Sequence, residues 1–513
     1  MKNNMFKTVS ILIIMNLASK VLGFTRDYFT AIKFGTSLEA DAYLMASNIP
    51  NILFVIIGTA ITTTIIPIYN DIKCNRSKKE LNIFLNNIIT ILLIISVTIT
   101  IFCEFKSTTL VNIMAPGFEG YKYDLTVFLT RILSSVIILN TLIYIFTAIL
   151  QCENMFTLPA SIGIPYNIIL IFYYIIFSER YGVVGIAIAT SIALVIQVVL
   201  LLMGLKKLEY KYRFYINIKD ENLKKIVKLL IPICIGTGMT QINGIFNGIF
   251  ASSLESGSVA SINYALKLNS LIIDIIIISI TTVIYQNTTK IVAQKGIGAV
   301  NEESNRGIVT MFIVLVPVVL VASLYCEDIV KFLFERGQFD SVSTAITANA
   351  FFYYSLGLFA IAINSILSRV CYALGDTKTP MINTFFAIIV NISFGFLLKD
   401  ILGVGGIALA SSIGSVLSVI LLYFNVRKKI PNCISKNTIT VIIKLFIASI
   451  PLVIIIMYSK NFIIDINTTK PLVELIKMSI SIVSGVIMYL LILLILKVKE
   501  IKNIFSTILK FER

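Results

Sequence analysis

The chain is 513 residues long, 57% hydrophobic and 14% charged, with a mean hydropathy of +0.92. Its 43 Lys and Arg outnumber 27 Asp and Glu, for a net charge of +16, and it has no histidine. A histidine-based triad, a histidine-held zinc and a histidine haem ligand are therefore excluded, and no Walker A or dinucleotide fingerprint is present to handle a nucleotide.

Apolar runs of about 20 residues, the length that crosses a bilayer as a helix, recur from end to end. They fall at 8–32, 41–69, 81–103, 125–150, 158–177, 182–204, 226–253, 258–286, 308–325, 343–368, 380–398, 403–425, 438–458 and 472–496. A chain in lipid must satisfy its backbone internally, so these runs predict an all-α polytopic protein of about fourteen transmembrane helices. The first run carries charges and lacks a small-residue cleavage site, which predicts a retained helix. The seven cysteines have no C-x-x-C pair and are expected as small buried residues or free thiols.

Lys and Arg concentrate in every second connection. Lys73, Arg76, Lys78 and Lys79 lie in 71–80, and Lys206, Lys207, Lys211, Arg213, Lys219, Lys224 and Lys225 in 205–225. Arg427, Lys428, Lys429 and Lys436 follow in 426–437, and the tail 497–513 is basic as well. The positive-inside rule makes that side cytoplasmic, with both termini there. The excess of positive charge is thus a topology signal, with no nucleic-acid partner implied. The longest outer connections, 104–124 and 326–342, are short for an enzyme that presents catalytic carboxylates, so no catalysis, cofactor or metal is expected.

Polar residues inside spans are costly in lipid and point to function. In the first span Lys20, Gly23, Arg26 and Asp27 fall within an arc of about 120° of a helix. Such a wedge must face protein or water: it serves either a cargo or a helix-fixing Arg26–Asp27 or Lys20–Asp27 contact. The second span carries Asp41, Asn48 and Asn51 on one stripe, with Pro50 and Pro67 able to bend it. In the seventh, Thr240, Asn243, Gly244 and Asn247 share a face, and in the eighth Asn263, Lys267, Ser270 and Asp274 follow one stripe. Inward cations suit an anionic cargo such as a phosphate or diphosphate, with Arg26 as a planar fork and Lys20 and Lys267 as point charges. Coupling of ions or stabilisation of one conformation is the alternative use of the same charges.

The chain also repeats itself. Gly182-Val183-Val184-Gly185-Ile186-Ala187 returns as Gly403-Val404-Gly405-Gly406-Ile407-Ala408, Pro159 returns as Pro380, and Gly117 as Gly337. Two fused copies of a helical lobe are the skeleton of many transporters, with the site between them. The predicted organisation is an N-terminal lobe over 1–204, a basic cytoplasmic linker over 205–225, a C-terminal lobe over 226–425 and a helix pair over 438–496. The basic tail, 497–513, completes it.

S-K-V-L-G-F-T-R-D at 19–27, F-G-T-S-L-E-A-D-A-Y at 34–43 and N-I-P-N at 48–51 resemble the amino-terminal signature of the MurJ/MviN flippases. A-P-G-F at 115–118, A-S-x-L-x-S-G-S-V at 251–259, F-E-R-G-Q-F at 334–339 and Y-S-L-G-L at 354–358 continue the resemblance in order. Y-A-L-G-D-T-K-T-P at 372–380, preceded by Arg369, completes it. The resemblance implies two lobes plus a carboxy-terminal pair forming a lipid groove. It also implies transport of a polyprenyl-diphosphate-linked saccharide, lipid II, from the inner to the outer leaflet by alternating access. It marks Lys20, Arg26, Asp27, Asp41 and Lys267 as substrate-binding residues, and Asn247, Asp274 and Arg369 for ion or gating roles. The departures are these: Lys20 and Lys267 each replace a family Arg, Phe54 stands where an Arg is usual with no Glu following it, and Asn247 replaces an Asp that some members use for sodium.

The expected protein is therefore a multi-pass flippase of a bacterial cytoplasmic membrane, in contact with membrane lipids and with the cell-wall synthesis machinery. Flipping of another polyprenyl-linked oligosaccharide is the alternative. A cation-coupled small-molecule exporter comes behind it, since Lys20, Arg26 and Lys267 would repel a cationic cargo.

Overall fold

The structure, a computed structural model, describes residues 2–208, 210–296, 300–464, 471–498, 500 and 501. Most of the predicted basic tail, 497–513, lies outside the described residues. The chain forms two compact units: Met1–Ala260 with Arg336–Asp340, and Ser261–Glu335 with Ser341–Arg513.

The first unit contains α1 (Lys2–Phe34), α2 (Leu38–Asn75), α3 (Lys78–Phe105), α4 (Ser107–Met114), α5 (Gly120–Ser134), α6 (Val136–Cys152), α7 (Thr157–Ser161), α8 (Gly163–Ile176), α9 (Ser178–Lys206) and α10 (Glu221–Ser252). Local capping chemistry sets several starts. Ser37 accepts from the Ala40 amide at α2, and Asp220 accepts from the Asn222 amide at α10. At α3 the Glu80 amide donates to the Ser77 hydroxyl at 3.3 Å, closing one orphan amide, and that hydroxyl donates to the Glu80 carboxylate at 3.2 Å. α2 packs on α5, α6 and α10, so the seventh predicted span belongs to this compact unit.

The second unit takes over within α11 (Ser258–Ile272). A five-residue π-helical segment, Ile273–Ile277, leads to α12 (Ile278–Lys295). There follow α13 (Val300–Leu324), α14 (Cys326–Phe334), α15 (Ser341–Leu356), α16 (Leu358–Ala373), α17 (Lys378–Leu402), α18 (Val404–Lys429), α19 (Lys436–Ile464) and α20 (Pro471–Ile495). α19 and α20 pair with each other and lie against α13. The Tyr325 hydroxyl sits 2.6 Å from both Ser459 and Ser481, holding the start of α14 to that pair.

Among the described residues, eleven helices are long and apolar enough to span a membrane, or twelve with the bent pair α15–α16 counted as one. α1 and α2 occupy the remaining two predicted places. The exterior explains the composition. On α9, Ile188, Ile192, Val195 and Val199 form an exposed stripe, while Thr190, Ala193, Gln197 and Leu201 on other faces are buried. Apolar residues outside and small or polar ones inside are the pattern of a helix in lipid.

Two predicted spans are not continuous. The run 125–150 breaks at Ser135 between α5 and α6, and 343–368 bends by 40° at Gly357 between α15 and α16. At Gly357 the Ser412 hydroxyl of α18 takes the Tyr353 carbonyl at 2.7 Å, while the Gly357 amide turns to Tyr354 at 3.1 Å. A side chain inserted into the i→i−4 ladder is a recognised cause of a kink. At the other break the Thr100 hydroxyl of α3 reaches the Ser134 carbonyl at 3.3 Å.

The same local features recur in both units. Gly182 and Gly403 share an unusual backbone, φ 52, ψ −148 and φ 59, ψ −134. The pairs α3–α5, α3–α6, α5–α9, α6–α9 and α8–α9 in the first unit have counterparts α13–α15, α13–α16, α15–α18, α16–α18 and α17–α18 in the second.

Candidate functional site

Two polar clusters organise the first unit. About two turns before the end of α1 the Arg26 guanidinium grips Asp27, with Nε and Nη2 at 3.1 and 2.8 Å from Oδ1. Two of its five N–H donors are thereby directed. The guanidinium also lies 5.7 Å from the Tyr166 ring centroid, a cation–π contact with α8. One turn on, Thr30 donates to the Arg26 carbonyl at 3.0 Å and lies 2.8 Å from the Tyr174 hydroxyl. Asn167 of α8 donates to the Ser19 carbonyl at 3.2 Å. α8 therefore fixes the polar face of α1, while Arg26 and Asp27 stay 25% and 14% exposed at their side chains. Lys20 is exposed, two turns earlier.

The second cluster gathers the glycine-bearing motifs. Asp41, in the first turn of α2, is fully buried. Its Oδ2 receives the Lys122 ammonium at 2.6 Å and the Gly257 amide at 2.7 Å, and its Oδ1 receives the Ala260 amide at 2.7 Å. The carboxylate thus caps the start of α11, where the helix dipole favours negative charge. Lys122 also stands 4.0 Å over the Phe118 ring. The backbone approach is close: a Cβ on Gly257, at φ +94°, would lie 2.5 Å from the Thr36 carbonyl oxygen, and one on Gly35, at φ +52°, 2.2 Å from that of Gln338. The Gln338 amide donates to the Ile32 carbonyl at 2.8 Å. F-G-T-S, A-P-G-F, S-G-S-V and R-G-Q-F, far apart in sequence, thus surround one ion pair.

Nothing in the sequence singles out Lys122, which reads there as an ordinary loop cation; A-P-G-F just before it is the available signal. Asn247 of α10 is buried. In the second unit Lys267 is half-buried on α11, and Asp274 falls inside the π-helical segment, where the winding changes and the α-helical stripe that predicted its direction no longer holds. Arg369 of α16 stacks 5.4 Å over Tyr285 of α12. Phe54, the departure from the family pattern, has no described side chain. Among the described residues no group of three His, Cys, Asp or Glu is poised for a metal.

A polytopic helical bundle with ion pairs held inside its spans has the architecture of a membrane transporter. A transporter of the multidrug resistance MATE family, in an inward-facing conformation, shares the fold with a TM-score of 0.69 at 16% identity, over 83% of this chain and 99% of its own. The resemblance to one family is closer. A structure described as lipid II flippase MurJ in an inward closed conformation matches with a TM-score of 0.79 at 26% identity, over 94% of this chain and 97% of that one. The probable lipid II flippase MurJ of Rickettsia prowazekii is 29% identical over 450 residues, 87% of each chain, and the lipid II flippase MurJ of Burkholderia cenocepacia is 24% identical over 83% of this chain and 84% of its own. The family described as lipid II flippase MurJ matches residues 30–472, and the chain belongs to that family.

Proposed function

We propose that this chain flips lipid II, a polyprenyl-diphosphate-linked saccharide, from the inner to the outer leaflet of a bacterial cytoplasmic membrane, with both termini cytoplasmic. The observation that carries the reading is the family match over 30–472. Lys20, Arg26, Asp27 and Lys267 serve the diphosphate, Arg26 through the guanidinium donors that Asp27 leaves over. Asp41 acts through its bond to Lys122 and the amides at the start of α11: it is the latch that must open when access alternates. Asn247, Asp274 and Arg369 serve ion response or gating. With Asn in place of the sodium-associated Asp, the cycle is driven by membrane potential, about 2.3 kcal/mol per charge per 100 mV. The missing Arg at Phe54 favours a second reading, another polyprenyl-diphosphate-linked oligosaccharide. The recurring contacts and the Gly182 and Gly403 backbones support two pseudo-symmetric lobes.

The test is rescue of a bacterium depleted of its lipid II flippase. The intact chain should restore growth, and Arg26→Ala, correctly inserted, should not. A charge-assisted contact is worth about 1.5–3 kcal/mol, so loss of Arg26 should slow lipid II transport about tenfold or more. Rescue by Arg26→Ala equal to that of the intact chain would remove Arg26 from the cargo site.

A further inference from the structure

At the end of α2 opposite Asp41, the first unit contains an open cavity of about 290 Å³. That volume lies near the lower limit of the about 300–1,000 Å³ typical of small-molecule sites. Three cations, Lys73, Arg76 and Lys78, line it, and Leu81, Leu85 and Ile149 give it an apolar floor. The only carboxylate in the lining, Glu153, is already engaged. It takes the Lys73 ammonium at 2.7 Å and the Tyr69 hydroxyl at 2.5 Å. Three cations against one carboxylate leave two positive charges in the lining, and Arg76 also stands 3.7 Å from Glu80, which lies outside it.

The walls are built features. Ser77 and Lys78 bring the start of the 28-residue α3 to the mouth, with the positive end of its dipole. Tyr210 closes another side. Its hydroxyl donates to the buried Asn86 at 2.6 Å, and Asn86 also receives the Arg213 amide at 3.1 Å. Asn87 receives the Asn217 amide at 2.7 Å, so the 210–217 segment is held along α3 and the cavity has a fixed rim.

We propose that this cavity is a binding site for a phosphate oxyanion at the membrane surface, separate from the cargo residues on α1. Arg76 supplies the planar fork that matches phosphate geometry, and Lys73 and Lys78 supply point charges. The apolar floor beside them suits a phosphate attached to an acyl-glycerol, that is, the headgroup of an anionic phospholipid. Free phosphate has the same oxyanion chemistry. The residues that set topology in the 71–80 connection thus gain a second use.

The experiment measures thermal unfolding of the purified full-length protein in detergent. In one arm short-chain phosphatidylglycerol is titrated against short-chain phosphatidylcholine; in the other, inorganic phosphate is titrated against chloride at equal ionic strength. Three proteins are compared: the unmodified chain, Arg76→Gln with Lys78→Gln, and Lys79→Gln with Lys211→Gln. The last pair loses the same charge outside the cavity lining. Phosphatidylglycerol should raise the midpoint of the unmodified chain. The half-saturating concentration should rise about tenfold or more in the cavity variant and stay within about twofold in the control, because each lost charge-assisted contact is worth about 1.5–3 kcal/mol. A response to phosphatidylglycerol alone assigns the site to a lipid headgroup, and a response to inorganic phosphate assigns it to soluble phosphate as well. No response in either arm, or equal weakening in the control variant, overturns the proposal.

Discussion

The two ends of α2 carry the same chemical device in opposite surroundings. At one end Asp41 and Lys122 are 0% and 10% exposed at their side chains, and at the other Glu153 and Lys73 are 22% and 41% exposed. The spacings are alike, 2.7 Å at the open end and 2.6 Å at the buried one. What differs is the consequence of losing a partner. A buried charge left alone retains its full desolvation penalty, whereas an exposed one returns to water. The buried pair can therefore hold a conformation, and the exposed pair can shape a cavity without holding much else.

The strongest way to break this contrast is Asp41→Ala. It strands Lys122 and two backbone amides, and about 3–5 kcal/mol is expected from removing one partner of a buried pair. Thermal unfolding in detergent should show a large fall in midpoint, and a cysteine at Ser258 should become more reactive to a thiol reagent. Combining Asp41→Asn with Lys122→Met removes both charges and should recover much of the loss. If the double variant is no better than Asp41→Ala, the pair is not the source of the effect.

Glu153→Gln should cost far less, about 0.2–1 kcal/mol, the range of exposed pairs. Its pH dependence sharpens the comparison. Burial raises the Glu153 carboxyl, but hydrogen bonds from Lys73 and Tyr69 outweigh it and hold the group below its ordinary 4.5. A carboxyl depressed on folding contributes stability that is present above pH 4.5 and lost as the pH falls through its folded value. The unmodified protein should therefore lose a small increment of stability below pH 4.5 that Glu153→Gln does not lose.

The smallest effect is that of salt. Raising ionic strength from 0.1 to 1 M shortens the screening length from about 10 to about 3 Å. The cost of Glu153→Gln should shrink towards zero, while that of Asp41→Ala should hardly move. Equal salt sensitivity at the two ends would mean that water reaches Asp41.

Much of this architecture is legible in the residues alone. Run length and charge place the spans, and the glycine motifs mark the segments that meet around Asp41. The bend at Gly357 is hidden, because it arises when a hydroxyl from another helix competes for a carbonyl, and nothing in the local run announces that. The π-helical segment lies in the apolar run Ile272–Ile278, interrupted only by Asp274, where hydropathy is blind to winding. Lys122 is hidden for a related reason. A lone lysine in a connection becomes a buried partner only through packing 81 residues away in sequence. Arg26 and Asp27 share one arc of α1, and their mutual bond is one of the two uses that such an arc predicts.

The Tyr325 cluster has a consequence in proton arithmetic. Ser459 lies 2.8 Å from the Ile456 carbonyl and Ser481 2.9 Å from that of Met478, and Tyr325 lies 2.6 Å from both serines. Three hydroxyl protons must serve four contacts, so at every instant one contact is short of a proton unless two contacts share one. Several proton arrangements are therefore compatible with the same heavy-atom positions. Removing either serine hydroxyl relieves the shortage: Ser459→Ala or Ser481→Ala deletes two contacts and leaves two hydroxyl protons for the remaining two. Tyr325→Phe takes away the shared centre and with it both hydroxyl links, leaving the Asp328–Lys460 and Lys331–Glu474 ion pairs, at 3.0 and 3.9 Å, to join α14 to the α19–α20 pair.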